Sequence, residues 1–265
     1  MTAVGYDSFS FDVAGRSRPV LRKGDGPAVV VIHELPGPTP EVLSFGDRVA
    51  KAGFTAVLPV LFGVPGRPVS RPYLLGEFAR VCISREFLCL SRNRASPVTN
   101  WLRALCRHAH AECHGPGVGV VGMCFTGGFA LALAAEPSVL APVLSQPSLP
   151  LGITASHRSA LGVSVEDLER IRDRMAGGSR VLGLRFSEDR FCPRARFERL
   201  RRELGEGFEA VEIDSAAGNA AGIDPRAHSV LTMDLVDSPE HPTRQALDRV
   251  IEFLRERLRE DPAGR

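Results

Sequence analysis

Lysine is almost absent from this 265-residue sequence, because nearly all of its 33 basic residues are arginines; the lysines are Lys23 and Lys51. The 31 acidic residues balance them to a formal net charge of +2 at pH 7, which gives no general attraction to nucleic acid or to anionic membranes. No apolar run approaches the ~18 residues of a membrane-spanning helix. The first residues lack the charged segment and apolar run of a secretory signal. We therefore expect a cytoplasmic protein that binds neither nucleic acid nor membranes.

The spacing of the cysteines matches no disulfide scaffold. The six cysteines stand at positions 82, 89, 106, 113, 124 and 192. A chain of this length buries a core without covalent links, so we expect reduced thiols. A hydrophobic content of 44% with 24% charged residues is typical of an ordinary globular core. We predict one domain over residues 1–265, present as a monomer or a small homo-oligomer.

Apolar runs alternate with helical patterns along most of the chain. After an edge hairpin near residues 9–21, strands are predicted at 28–32, 54–58, 118–121, 141–144, 181–186 and 208–213. Helices are predicted near 41–52, 97–113, 129–133, 165–175, 194–204 and 244–258. This alternation predicts an α/β fold, a mostly parallel central sheet covered by helices on both faces. Residues 59–97 are irregular, with a short helix near 77–89, and we interpret them as an excursion beside the active site.

The most informative segment is GMCFTGG, residues 122–128, between a predicted buried strand and a predicted apolar helix. Glycines around one polar residue at such a turn are typical of the nucleophile elbow of α/β-hydrolases, here with cysteine where serine is usual. The small residues permit a sharp turn that lifts Cys124 into a cleft. The amides at the start of the next helix would face developing negative charge. The alternative is a plain strand-to-helix turn with a buried cysteine.

A cysteine nucleophile needs a base, and the base needs an orienting carboxylate. Asp189 follows one predicted strand and His228 follows the next. The order of nucleophile, acid and base at strand ends is that of α/β-hydrolases. Alternatively, Asp189 is a helix N-cap with Glu188 as its rival, and His228 is a surface histidine. Taken together with the elbow, the pattern predicts a triad of Cys124, His228 and Asp189.

The segments VVVIHELPG, FGDRVAKAGFTAVLPVLFG, GMCFTGG, SEDRFCP and AHS together resemble the dienelactone hydrolase family of α/β-hydrolases. The resemblance runs from about residue 29 to residue 229 and on into the last helix, so it covers most of the chain. It implies that Cys124 is the nucleophile, His228 the base and Asp189 its orienter. Glu34 matches the family's glutamate, which engages the cysteine thiol and helps to generate thiolate when substrate binds.

The added carboxylate makes chemical sense, because a free thiol with its usual pKa of ~8.5 is mostly protonated at neutral pH. The alternative for Glu34 is a solvated loop carboxylate or an arginine partner. The backbone amides of Leu35 and Phe125 would form the oxyanion hole. His33 either lines the pocket or is a satisfied polar residue at a strand end, and we leave it out of the catalytic set.

The sequence departs from the family pattern at two places. Thr126 stands where the family has a glycine, so the elbow either packs less tightly or points the Thr126 hydroxyl at the site. Family members acting on dienelactone clamp its carboxylate with arginines, one of them shortly after the catalytic histidine, but residues 229–232 supply none. In the excursion Arg71, Arg80 and Arg85 are alternatives, since guanidinium binds carboxylate through two hydrogen bonds. Of these we single out Arg71 and Arg85.

One further cluster offers metal-binding side chains within a single predicted helix. It comprises Cys106, His108, His110, Cys113 and His114. Zinc accepts such ligands, but the spacing matches no common zinc motif, and the apolar residues between them indicate an ordinary packing face. We predict no metal and no cofactor.

These observations predict a hydrolase that cleaves a small carboxylic ester or lactone through a cysteine acyl-enzyme. One fold hosts many reactions, so two alternatives stay open. The first is a binding module for small molecules whose triad residues are too far apart to react. The second is a thiol-dependent acyl transferase that excludes water.

Overall fold

The structure, a computed structural model, describes residues 5–82, 97–149 and 158–259. Its strands are β1 (Asp7–Val13), β2 (Arg16–Lys23), β3 (Ala28–Ile32), β4 (Thr55–Pro59), β5 (Val118–Met123), β6 (Val139–Ser145), β7 (Val181–Phe186) and β8 (Phe208–Ile213). Its described α-helices are α1 (Pro40–Lys51), α2 (Arg71–Cys82), α3 (Pro97–Glu112), α4 (Gly127–Leu133), α5 (Val165–Ala176), α6 (Arg194–Leu204) and α7 (Pro242–Leu258). Single 3₁₀ turns precede α4 and β8.

The eight strands form one sheet in the order β1-β2-β4-β3-β5-β6-β7-β8. The pairs β1–β2 and β2–β4 are antiparallel, and every other neighbouring pair is parallel. The predicted edge hairpin and mostly parallel sheet are therefore confirmed. Because the strands from β3 to β8 run in one direction, the loops that follow them meet at one edge of the sheet.

Helices cover both faces of the sheet, as predicted. On one face α1 and α7 pack Phe45, Val49 and Val250 against it. On the other face α3, α4 and α6 contribute Trp101, Phe129 and Phe197. The central strands β3 and β5 are buried along their whole length, which explains their continuous apolar sequence. Each fully buried large apolar side chain stabilises the fold by about 1.5–3 kcal/mol.

Helix α2 differs from the expected short helix near residues 77–89. It begins at Arg71 and is described as far as Cys82; the rest of the predicted helix lies outside the described residues. Its buried side carries Tyr73 and Glu77, whereas Leu75 and Phe78 are exposed. The sequence pattern was misleading because a phenol and a carboxylate, rather than apolar side chains, face inward.

Within the described ranges, no helix combines the length and the apolar character needed to cross a membrane.

Candidate active site

Cys124 lies in the sharp turn between β5 and α4, with a backbone φ of 56°. Positive φ is strained for a residue with a Cβ, and such strain is concentrated at functional sites. The glycines around it are required sterically. A Cβ on Gly122 would lie 2.4 Å from the carbonyl oxygen of Thr126, and one on Gly127 would lie 2.8 Å from Cα of Pro147. Only glycine therefore fits at these two positions of the turn.

Thr126 corrects the expectation about this turn. Its side chain is fully buried, and Oγ1 accepts a hydrogen bond of 2.9 Å from the amide of Met123. The single hydroxyl proton is shared between the carbonyl oxygens of Ile32 at 2.9 Å and Met123 at 2.7 Å. The hydroxyl therefore bonds the backbone beneath the turn and does not point at the site. The turn is tied to the end of β3 rather than loosened.

Asp189 and His228 meet at the carboxyl edge of the sheet. Nδ1 of His228 lies 2.7 Å from Oδ2 of Asp189, while Oδ1 accepts a hydrogen bond of 2.8 Å from the amide of Phe191. The N-cap of α6 is Pro193, not Asp189. The rival carboxylate, Glu188, is exposed. Of the two neighbouring acids, Asp189 is the one that holds the imidazole.

Cys124 lies close enough to His228 to act on the pKa of its imidazole. Burial acts to lower the pKa of His228, but the neighbouring Cys124 and Asp189 outweigh it and raise the pKa well above its usual value. The ring of Phe191 meets the imidazole edge-on, with centroids 5.4 Å apart. The structure thus brings a sulfur, an imidazole and a carboxylate together, which are the groups needed to transfer a proton from a nucleophile.

Glu34, in the loop after β3, is buried and close enough to His228 to feel its charge. Its Oε2 accepts hydrogen bonds from the hydroxyl of Ser229 at 2.8 Å and the side-chain amide of Gln146 at 3.1 Å. Its Oε1 accepts one from the hydroxyl of Thr232. Burial raises the pKa of the Glu34 carboxyl, although these donors and the charge of His228 oppose the rise. Glu34 is therefore neither solvated nor, among its described contacts, paired with an arginine.

Two polar residues of this region escaped the sequence analysis. Gln146 follows β6 with a positive φ of 36°. Its position directly after a buried strand could have marked it as a candidate site residue. The carboxylate of Asp234 accepts hydrogen bonds of 2.8 Å from the amides of both His228 and Ser229. It thereby fixes the turn that carries the imidazole. No local pattern marks Asp234, because the donors that its carboxylate binds are backbone amides.

His33 is a satisfied polar residue rather than a pocket residue. Its Nε2 accepts a hydrogen bond of 3.1 Å from the amide of Leu61. The proton therefore resides on Nδ1, which donates to the carbonyl oxygen of Glu34 at 3.0 Å. Complete burial lowers the pKa of His33 to about 4, so the ring is neutral at physiological pH.

The two residues predicted to supply oxyanion-hole amides follow two neighbouring strands, β3 and β5. Leu35 follows Glu34, and Phe125 follows Cys124 at the start of the turn. Phe62, from the beginning of the excursion, packs on Phe125 with ring centroids 5.6 Å apart. The excursion therefore contributes an aromatic wall next to the turn.

The candidate substrate arginines receive no support from the described contacts. Arg71 is exposed at the first position of α2. Arg80 forms an ion pair of 2.9 Å with Glu77 on the same helix. Arg85 lies outside the described residues.

Two members of the cysteine and histidine cluster on α3 take part in packing. Cys106 is fully buried in the core, and His108 stacks on Phe11 with ring centroids 4.9 Å apart. In the part of the chain that the structure describes, no three metal-binding side chains are grouped to hold a metal ion.

A mostly parallel eight-stranded sheet with a strained cysteine between β5 and α4, and an Asp–His pair after β7 and β8, defines an α/β-hydrolase. The sequence profile of the dienelactone hydrolase family matches residues 17–258, and the chain belongs to that family. A search of curated proteins finds no match.

Solved structures show the same fold at low sequence identity. The putative dienelactone hydrolase of Klebsiella pneumoniae subsp. pneumoniae is 18% identical with a TM-score of 0.60, covering 94% of this chain and 97% of that one. The dienelactone hydrolase of Anabaena variabilis is 16% identical with a TM-score of 0.58, covering 96% and 100%. A cold-adapted esterase from an Arctic intertidal metagenomic library is 15% identical with a TM-score of 0.60, covering 96% and 94%.

Proposed function

We propose that this protein hydrolyses a small carboxylic ester or lactone through a thioester formed on Cys124. The observation that supports the proposal most directly is the contact of 2.7 Å between His228 and Asp189, with the strained Cys124 close enough to act on the pKa of the same imidazole. Membership of the dienelactone hydrolase family and the fold shared with a structure named as an esterase agree with it. The proposal requires no cofactor or metal and places the protein in the cytoplasm.

In the first half of the reaction, Nε2 of His228 takes the proton of the Cys124 thiol as the sulfur attacks the carbonyl carbon. The carbonyl oxygen becomes an oxyanion, which the amides of Leu35 and Phe125 are proposed to bind. The tetrahedral intermediate collapses to a thioester, and the leaving alkoxide takes the proton from His228. Asp189 keeps Nδ1 protonated, so that Nε2 is the basic nitrogen.

In the second half, water attacks the thioester with His228 as its base. Collapse of this intermediate expels the Cys124 sulfur and leaves a carboxylate product. With a lactone the alcohol and the acid remain one molecule, so the product is a hydroxy acid.

Glu34 enters the proposal as a second acceptor for the thiol proton, as the family resemblance implies. To reach the sulfur, its carboxylate must leave Gln146, Ser229 and Thr232, whose donors occupy it in this structure. The cost of breaking those bonds would confine this role to the substrate-bound state. For an anionic substrate, Arg71 or Arg85 is the proposed partner of the carboxylate.

The test is the hydrolysis of p-nitrophenyl acetate by Cys124→Ala, with Cys192→Ala as the matched control. Cys192 is fully buried, and burial raises the pKa of its thiol, so its removal is expected to spare activity. Cys124→Ala is expected to lose turnover together with the acyl adduct seen by mass spectrometry. Undiminished hydrolysis in this variant would refute the proposal. Acyl transfer to added alcohols or amines in preference to water would identify a transferase instead.

A further inference from the structure

Arg185 is a charged residue at a place where the sequence pattern calls for an apolar one. It is the fifth residue of β7, whose sequence is VLGLRF, and it is 2% exposed. A buried guanidinium is costly unless its donors are satisfied. Its hydrogen bonds therefore indicate what this side chain holds in place.

Two of those bonds go to the loop between β7 and α6. Nε of Arg185 donates to the carbonyl oxygen of Cys192 at 2.9 Å, and Nη2 donates to that of Ser187 at 2.7 Å. Asp189 lies between these two carbonyls along the chain. One rigid, planar group thus bonds the loop on both sides of the carboxylate that holds His228.

The third nitrogen of the guanidinium fixes the position of the group itself. Nη1 of Arg185 lies 2.5 Å from Oε2 of Glu212, which is its register partner on β8. Burial acts to raise the pKa of Glu212, but hydrogen bonds from Arg201 and Arg185 outweigh it and lower the pKa. The ring of Phe197 packs 5.7 Å from the guanidinium carbon. The donors directed at the loop are therefore held in one orientation.

We propose that Arg185 is a positioning residue, which clamps residues 187–192 so that Asp189 faces the imidazole of His228. The inference rests on the proposed function, because the proposed reaction is what gives the Asp189–His228 pair a catalytic role. Lysine does not substitute for this clamp, because a single ammonium cannot span both carbonyls in the fixed geometry of a guanidinium.

The test measures the pKa of the His228 imidazole by NMR titration. It compares Cys124→Ala with the same protein carrying a second substitution. The groups facing this ring are Cys124, Asp189 and Glu34, and the background removes the first. Arg185→Lys is expected to lower the His228 pKa, because a looser loop weakens the contact that stabilises the imidazolium. Arg201→Lys, which changes a surface partner of Glu212 and leaves the loop untouched, is the control and is expected to leave it unchanged.

A purely structural role for Arg185 would lower the unfolding temperature without moving the His228 pKa, and that result overturns the proposal. If Arg185→Lys does not fold, Glu212→Gln replaces it. This variant keeps the shape but removes the charge opposite the guanidinium, so a smaller fall in the His228 pKa is expected. An unchanged pKa in a folded Glu212→Gln protein overturns the proposal equally.

The second measurement is the steady-state kinetics of ester hydrolysis, made with Cys124 present. Arg185→Lys is expected to lower kcat roughly 10- to 100-fold, the usual cost of a misplaced catalytic group, with little change in KM. The failure of this inference is distinguishable from failure of the proposed function. If Cys124→Ala still hydrolyses the ester, the proposed function fails, whereas the imidazole titration requires no turnover and still decides the role of Arg185.

Discussion

The hydroxyl of Thr126 lies 2.9 Å from the carbonyl oxygen of Ile32, although 94 residues separate the two in sequence. This bond joins the turn that carries Cys124 to the end of β3, directly before the loop with Glu34 and Leu35. One buried side chain therefore sets the spacing between the proposed nucleophile and two of its proposed partners.

Thr126→Val is expected to lower both stability and activity. Valine has nearly the same shape, but it leaves the buried amide of Met123 without the acceptor that Thr126 provides. An unsatisfied buried group of this kind costs about 1–3 kcal/mol, measurable by urea unfolding. Thr126→Ser keeps the hydroxyl and is the control, expected to retain most of the stability. A valine variant as stable as the parent protein would contradict this account of the turn.

Asp234→Ala is expected to reduce kcat about tenfold (about 1.4 kcal/mol of activation free energy). The substitution removes the acceptor shared by the amides of His228 and Ser229 and frees the turn that carries the imidazole. Asp234→Asn retains a side-chain oxygen and should recover most of the rate. Asp237→Asn is the control, since that residue pairs with Arg48 and Arg244 on the surface. The comparison is made on ester hydrolysis, and equal rates for all three variants would rule out the role.

The sequence predicted those parts of the fold and the site that are determined by residues close together in the chain. The sheet could be predicted because β3 and β5, buried on both faces, require continuous apolar runs. The turn at Cys124 could be predicted because a Cβ at Gly122 would collide with backbone. The site candidates after β7 and β8 were suggested by their places at strand ends.

Other parts depend on contacts between distant segments and leave no local pattern. Gln146 binds the carboxylate of a residue 112 positions away in sequence. Asp234 binds backbone amides, and because nearly every residue has one, the sequence does not mark these partners. Arg185 interrupts the apolar pattern of its own strand. Its hydrogen-bond partners lie on β8 and in the loop after β7, so they are known only from the folded structure. The start of α2 was misjudged because Tyr73 and Glu77 face inward.

His33→Gln is expected to reduce the loss of stability on acidification. The pKa of His33 falls from 6.5 to about 4 on folding, so the unfolded chain binds the proton more tightly. Its contribution is fully present above pH 6.5 and is lost as the pH falls towards 4, amounting to roughly 3 kcal/mol. Glutamine can still accept from Leu61 but does not titrate. Urea unfolding across this range should give a flatter curve for the variant, and parallel curves would exclude His33 as the cause.

Glu34→Gln tests whether the buried carboxyl costs stability while serving the reaction. Burial raises its pKa above the usual 4.5, so its stabilising effect is present below that pH and is lost as the pH rises through the folded-state value. Glutamine has the same shape and no charge. The stability of the variant relative to the parent protein should therefore increase as the pH rises above 4.5.

The same substitution is expected to lower the rate of ester hydrolysis at least tenfold, since the proposed second acceptor for the thiol proton is removed. Glu188→Gln, an exposed neighbour of Asp189, is the control and should change neither quantity. A gain in stability together with a loss of rate would mean that the carboxyl is retained for chemistry at the expense of folding. A loss of stability at every pH, in parallel with the rate, would instead mean that Glu34 mainly anchors Ser229 and Thr232.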